Sequence, residues 1–172
     1  MDSTGKLYCA WCGGPLERKL AQGEYRLCCQ GCGRISYENP ITGVAGIILS
    51  PAGEILLGRR AGGETMEGKW CIPCGHVEYN EDIRQALVRE MWEETGFWVN
   101  PVSVYTAYSN FHEPQVHSTG IWFLTEICGG CCRSGDDISE VRFFTGGCLP
   151  ELAFVTDRLV IERLRQENLL KE

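Results

Sequence analysis

Three glutamates set the strongest constraint on this chain. Glu90, Glu93 and Glu94 fall at i, i+3 and i+4, so on a helix of 3.6 residues per turn their carboxylates share one face. Like charges at these spacings cost a bare helix roughly 0.2–0.5 kcal/mol per pair. A fold that keeps such a helix must supply a compensating charge, and a divalent cation taking oxygen ligands is the natural one. The flanks support the helix. Asn80 is a candidate N-cap, with Glu81 and Asp82 in a first turn where the dipole favours negative charge. Leu87, Val88 and Met91 form an apolar stripe turned by roughly 100° from the acidic face, and Gly96 supplies a left-handed stop. The expected helix runs from Glu81 to Thr95, anchored on one side and acidic on another.

Residues 1–37 obey a different logic. Cys9-Ala-Trp-Cys12-Gly13 and Cys29-Gln-Gly-Cys32-Gly33 are two C-x-x-C-G knuckles with sixteen residues between them. Each glycine lets the backbone turn tightly and aim amide N–H groups at sulfur. Four thiolates at this spacing fit a tetrahedral zinc ion, and with all four positions filled the role is structural. Buried thiols or a redox pair are the alternatives. Cys28 could stand in for Cys29, but only Cys29 keeps the knuckles symmetrical. The segment between them reads as a hairpin returning through Glu24 to Leu27. It is too short to bury much apolar area, so the metal would supply much of its folding free energy. The expected division is a ribbon over 1–37 and a second domain over 38–172.

Composition limits the partners. Net charge is −7 and the pI about 5.1, which leaves no basic surface for a nucleic-acid backbone. A small anionic substrate therefore needs local help, from a metal ion or a few placed cations. No run approaches the ~18 apolar residues of a membrane span, and the first residues lack a signal-peptide pattern. Eleven cysteines without such a signal point to a reducing compartment, where clustered thiols bind metal more often than they pair. The expectation is a cytoplasmic protein with no nucleic-acid or membrane partner. Pairing with a second copy stays open.

Beyond a linker at Tyr37 to Pro40, Ile41–Ser50 and Glu54–Arg60 read as strands around a Pro51–Gly53 turn, followed by a glycine-marked loop. Cys71 and Cys74 make a third C-x-x-C, Cys128 and Cys131 a fourth. A second zinc site and a disulfide are alternatives to buried small thiols, the reading the strand context favours. Cys132 and Cys148 receive no role.

Gly75, five residues, Glu81, seven residues, then Arg89-Glu90-Met91-Trp92-Glu93-Glu94-Thr95-Gly96-Phe97 matches the Nudix box, GX5EX7REUXEEXGU with U apolar, at every position. Gly68-Lys-Trp70-Cys-Ile-Pro73 resembles the lead-in to that box. The ribbon followed by Tyr37-Glu-Asn-Pro40 is similar to the branch holding NADH pyrophosphatases and FAD/ADP-ribose pyrophosphatases. The resemblance covers nearly the whole chain. It implies an α/β/α sandwich around a mixed sheet, and hydrolysis of a nucleoside diphosphate linked to another moiety, with Mg²⁺ or Mn²⁺ on the pyrophosphate. It also implies that Glu90, Glu93, Glu94 and the Gly75 carbonyl are metal ligands, with one carboxylate, Glu90 first, serving as base or orienting water. Arg89 would fix a glutamate by an ion pair, and Glu81 would bond within the loop–helix unit.

After the box, Trp98–Tyr108 reads as a strand broken at Asn100-Pro101, Ser109–Gly120 as a polar loop, and Ile121–Cys128 as a strand. The loop departs from the S-Q-P-W-P-F-P-x-S pattern of NADH pyrophosphatases, which favours FAD or ADP-ribose over NADH. Phe111, His112 and His117 are candidate contacts to base or ribose, or ordinary loop residues. Asp136-Asp137-Ile-Ser-Glu140 resembles a late acidic segment of the family, with Asp137 the nominated extra ligand, Glu140 second, and a structural ion pair the alternative. Thr156–Leu170 is an amphipathic helix with Leu159, Val160 and Leu164 facing the core. The expected activity is cleavage of an ADP-containing diphosphate to AMP and a phosphate ester. A non-catalytic nucleotide sensor and a triphosphate-cleaving house-cleaning enzyme are the alternatives.

Overall fold

The computed structural model describes residues 5–113 and 116–172, the side chains of His112 and Glu113 excepted. They form two compact units: the residues up to Pro40 together with Phe111–His117, and Ile41–Asn110 together with Ser118–Glu172.

In the first unit, β1 (Leu16–Ala21), β2 (Glu24–Cys29) and β3 (Ile35–Ser36) form an antiparallel sheet in that order. Leu16 pairs with Cys29 and Ala21 with Glu24, so the hairpin closes on Gln22 and Gly23. Both have positive φ, 55° and 81°, the geometry of a two-residue turn that matches strand twist. Leu27, Cys28 and Cys29 are buried, while Leu7, Tyr8, Trp11, Leu20 and Tyr25 are exposed. Apolar packing on this scale cannot hold a fold by itself.

The second unit holds β4 (Ile41–Ile48), β5 (Ile55–Arg60), β6 (Trp70–Cys71), β7 (Cys74–His76), α1 (Ile83–Thr95), β8 (Phe97–Glu113), β9 (Val116–Gly130), β10 (Ile138–Phe144) and α2 (Val155–Gln166); the ends of β8 and β9 reach into the first unit. One sheet is ordered β7-β4-β9-β8 and is mixed, with β4 parallel to β9 and antiparallel to β7. The other is β10-β5-β6, antiparallel throughout. Alternation along the strands divides the core. Val44, Ile48, Leu56 and Phe123 turn to α1, meeting Ala86, Leu87 and Met91. Ala45, Ile47, Ile55, Leu57 and Trp122 turn to α2, meeting Val160, Ile161 and Leu164. The period-2 alternation of buried strands thus feeds two helix faces, the expected α/β/α layering. Gly46 lets α1 approach: a Cβ there would fall 2.4 Å from the Met91 sulfur.

Several local expectations are corrected. The helix starts at Ile83, and its N-cap is Asp82, whose carboxylate accepts from the Arg84 amide at 2.9 Å. Glu81 lies before the helix and accepts from the Glu78 amide instead. Asn100-Pro101 does not break β8, because β8 is an edge strand, where a missing N–H need not cost a ladder bond. Most of Ser109–Gly120 is strand rather than loop, with Asn110 donating to Ser118 at 3.1 Å. In α2 the core stripe is Val160, Ile161 and Leu164, while Leu159 is about half exposed. That helix ends at Gln166, and the Leu170 amide folds back onto the Leu164 carbonyl. Among the described residues no helix is long and apolar enough to cross a membrane.

Candidate active site and metal centre

Gly75 lies on β7, paired with Val44, and the Glu90 carboxylate packs directly on its Cα. A Cβ at Gly75 would fall 1.9 Å from the Glu90 carboxyl carbon. The fixed glycine that opens the motif is therefore a requirement for space, met by the residue that lacks a side chain. Glu90 is buried, and burial raises its pKa against the opposing pull of Arg89; the neighbouring charges of Glu93 and Asp136 raise it further.

Arg89 organises the acidic cluster. Its Nε donates to Glu81 at 2.9 Å, and its terminal nitrogens donate to Glu81, Glu90 and Glu93 at 2.8, 2.7 and 3.1 Å and to the His76 carbonyl at 3.0 Å. The Arg89 bonds hold the Glu81 pKa down. One guanidinium so joins the β7 exit, the turn before α1 and two carboxylates of α1.

Carboxylate oxygens of Glu90, Glu93 and Asp136 all lie within 4.8 Å of one another. Glu94 behaves differently. It is 1% exposed, it accepts from the Cys74 amide at 2.8 Å, and burial drives its pKa well above the ordinary value. It faces Asp137, whose Oδ2 accepts from Arg60 at 2.6 Å. The other oxygen of Asp137 is buried and accepts no hydrogen bond among the described residues. A divalent cation fits the Glu90, Glu93 and Asp136 set: carboxylate oxygens close enough to repel one another, the hard donors such an ion prefers.

Asp136 arrives on a strap across the end of α1. The amides of Cys131, Arg133 and Gly135 donate to the carbonyls of Gly96, Thr95 and Glu94 at 3.1, 3.0 and 3.2 Å. The approach is close, since a Cβ at Gly135 would fall 2.5 Å from the Glu93 carbonyl oxygen. Asp136 itself has φ +51°, a conformation Asp tolerates better than most residues.

Of the two adjacent aspartates, then, the nominated Asp137 lies against Glu94 and Arg60, and Asp136 is the one that joins Glu90 and Glu93. Spacing alone could not choose between them. Glu140 pairs with Arg142 and, at 3.9 Å, with Arg59, away from the cluster. Phe111 and His117 meet edge to face at 5.0 Å within the first unit, and the His112 side chain lies outside the described residues. Cys71 is buried and its thiol points at the Gly58 carbonyl, while the Cys74 thiol beside it is pushed up in pKa by their mutual hydrogen bond and by burial.

In the first unit the sulfurs of Cys9, Cys12, Cys29 and Cys32 also lie within 4.8 Å of one another. Cys12 and Cys29 are 3.4 Å apart, Cys9 and Cys32 3.8 Å. Each knuckle closes the same way, with the Gly13 amide on the Cys9 carbonyl and the Gly33 amide on the Cys29 carbonyl. Cys28 lies outside the cluster and donates to the Arg26 carbonyl. The Cys32 and Gly31 amides point at the Cys29 sulfur, and the Cys32 amide is the main reason its pKa falls to about 6. At Cys12 the Gly14 amide pulls the pKa down, but the thiols of Cys29 and Cys32 outweigh it and push it to about 11. Four thiols crowded this way favour a cation among them.

The NUDIX domain family model matches residues 40–154, and the Nudix N-terminal zinc-ribbon model matches 7–38. This chain belongs to the Nudix family and is a Nudix hydrolase with a zinc ribbon. It is 33% identical over 133 residues to an ADP-ribose pyrophosphatase of Methanocaldococcus jannaschii, covering 77% of this chain and 78% of that protein. It is 30% identical over 146 residues to the NAD-capped RNA hydrolase NudC of Stutzerimonas stutzeri, covering 84% of this chain but only 50% of NudC. The chain thus spans about half the length of that relative. The crystal structure of a NUDIX hydrolase from Nitrosomonas europaea superposes with a TM-score of 0.80 at 28% identity, covering 94% of this chain and 92% of that one.

Proposed function

We propose that this enzyme cleaves the diphosphate of a small ADP-containing nucleotide, ADP-ribose or FAD before NADH, to AMP and a phosphate ester. The observation that carries this reading is the convergence of the Glu90, Glu93 and Asp136 oxygens within 4.8 Å of one another. The match to an ADP-ribose pyrophosphatase across more than three quarters of both chains supports the substrate class.

The metal would be Mg²⁺ or Mn²⁺, and Glu90, Glu93, Glu94, Asp136 and the Gly75 carbonyl would hold it. When bound it neutralises the diphosphate and lowers the pKa of the attacking water. Glu90 would orient the attacking water and accept its proton. Arg89 keeps Glu90 and Glu93 in register through its bonds at 2.7 and 3.1 Å, so the acidic face is formed before substrate arrives. The zinc held by Cys9, Cys12, Cys29 and Cys32 is structural, and the ribbon and hydrolase portions are separate domains. The cell compartment is the cytoplasm, and the substrate is a small molecule.

Purified protein with Mg²⁺ or Mn²⁺ should release AMP from ADP-ribose or FAD faster than from NADH. Absence of AMP from every diphosphate in a panel that also contains nucleoside triphosphates would defeat the reading.

A further inference from the structure

Arg60 belongs to no part of the family motif, yet it is a buried arginine with every nitrogen engaged. Its Nε donates to the Thr65 carbonyl at 3.0 Å, one terminal nitrogen to Asp137 Oδ2 at 2.6 Å, and the other to Glu64 at 3.4 Å. Its guanidinium also lies over the Phe154 ring, 5.8 Å from the centroid. The main chain repeats the connection: the Ala61 amide donates to the Asp137 carbonyl at 2.7 Å, and Arg60 pairs with Ile138 across β5 and β10.

Arg60 thus ties the loop after β5, at Glu64 and Thr65, to the turn that carries Asp136, at Asp137. On one side the strap fixes Gly135 to the Glu94 carbonyl. On the other, Arg60 and Ala61 fix Asp137. Asp136 lies between the two clamps, with its φ of +51° and its carboxylate against Glu90 and Glu93. Removing the Arg60 guanidinium would take a charged anchor from the turn and leave Asp137 facing Glu94 without that cation.

We propose that Arg60 is a positioning residue for the catalytic metal: through Asp137 it holds the Gly135–Asp137 turn so that Asp136 meets Glu90 and Glu93. It acts on metal affinity rather than on the nucleotide. This inference rests on the metal-dependent reading of the site, but it concerns cation binding and can be tested without turnover. Partners of metal-binding groups commonly change affinity about 10–100-fold when removed.

The test is Mn²⁺ binding followed by electron paramagnetic resonance on zinc-loaded, substrate-free protein, in the parent chain, Arg60→Lys, Asp137→Asn and the double variant. Thermal melts accompany each, because a variant that merely loosens the fold would lower the midpoint without a matching change in Mn²⁺ affinity. The expected result is Mn²⁺ binding weakened about 10–100-fold by Asp137→Asn. Arg60→Lys, which keeps a charge but not the three-way contact, should lie between it and the parent. The double variant should be no weaker than the weaker single, since both break one clamp. In turnover, kcat should recover at high Mn²⁺ while KM for the diphosphate stays within twofold. Mn²⁺ affinity within twofold of the parent in both singles, or additive losses in the double variant, would overturn the inference. So would a parent chain that binds no Mn²⁺. A parent that binds Mn²⁺ but hydrolyses no diphosphate would overturn the functional reading and leave the role of Arg60 standing.

Discussion

The ribbon and the carboxylate cluster both gather like charges that need a cation, yet they stand on opposite foundations. The four sulfurs sit in a three-stranded unit with few buried apolar residues and several exposed large ones. The acidic face belongs to a helix whose Ala86, Leu87 and Met91 are fully buried. In the first case the cation is part of the folding free energy. In the second the fold is supplied by apolar packing beneath the acidic face. The contrast shows in the donors: the ribbon gathers four groups of one chemical type, whereas the carboxylate set mixes shared, buried and arginine-tied groups.

The largest expected effect falls on the ribbon. Cys32→Ala should abolish zinc binding, a loss on the scale of about 10–16 kcal/mol for structural zinc in small domains. Hydrogen exchange should then show β1 and β2 unprotected while the amides of β4 keep their protection. Protected ribbon amides in the zinc-free variant would break the comparison. The core beneath the acidic face comes next. Met91→Ala should cost about 2–5 kcal/mol in denaturant unfolding, because Met91 fills the space over Gly46. A loss under 1 kcal/mol would mean that α1 is not anchored as described. Glu93→Gln should do the reverse, lowering kcat on the order of a hundredfold with stability within about 0.5 kcal/mol, since Glu93 is exposed. Equal losses of stability in the two variants would erase the distinction between foundation and site.

The features legible in the sequence are those whose geometry is local. The knuckles are closed by short Gly-terminated turns, and the Glu90, Glu93 and Arg89 group lies within two turns of one helix, so spacing suffices. Asp136 and Arg60 were not legible because their meaning is non-local: Arg60 and Asp137 lie 77 residues apart. A choice between adjacent aspartates depends on the φ of one of them. The extension of β8 and β9 was hidden for another reason. Ser109, Asn110 and Ser118 are polar because that part of the hairpin is partly solvated, and polar strand residues look like loop when no apolar alternation marks them. The N-cap moved from Asn80 to Asp82 because both residue types cap well and the sequence offers both.

Asp157 is the remaining place where pattern misleads. An aspartate in the first turn of an amphipathic helix reads as a solvated dipole partner, yet Asp157 is 2% exposed and accepts from the Ile72 amide at 3.0 Å. Burial pushes its pKa from 3.8 to about 7, against the pull of the Ile72 amide. A raised carboxyl pKa means that between those two values the native state keeps a proton the unfolded chain has lost. Stability from this group is therefore full below pH 3.8 and declines as pH rises towards 7, by at most about 1.4 kcal/mol per pH unit. Asp157→Asn keeps an acceptor for Ile72 and cannot ionise. Urea unfolding of both proteins at pH 5, 6, 7 and 8 isolates the effect, because every other titrating group is common to the pair. The variant should gain relative to the parent up to pH 7 and hold that gain above it. Parallel stability curves would show that the buried carboxylate is already balanced by the Ile72 amide. The α2 face would then be a neutral support for the Ile72–Gly75 segment rather than a strained one.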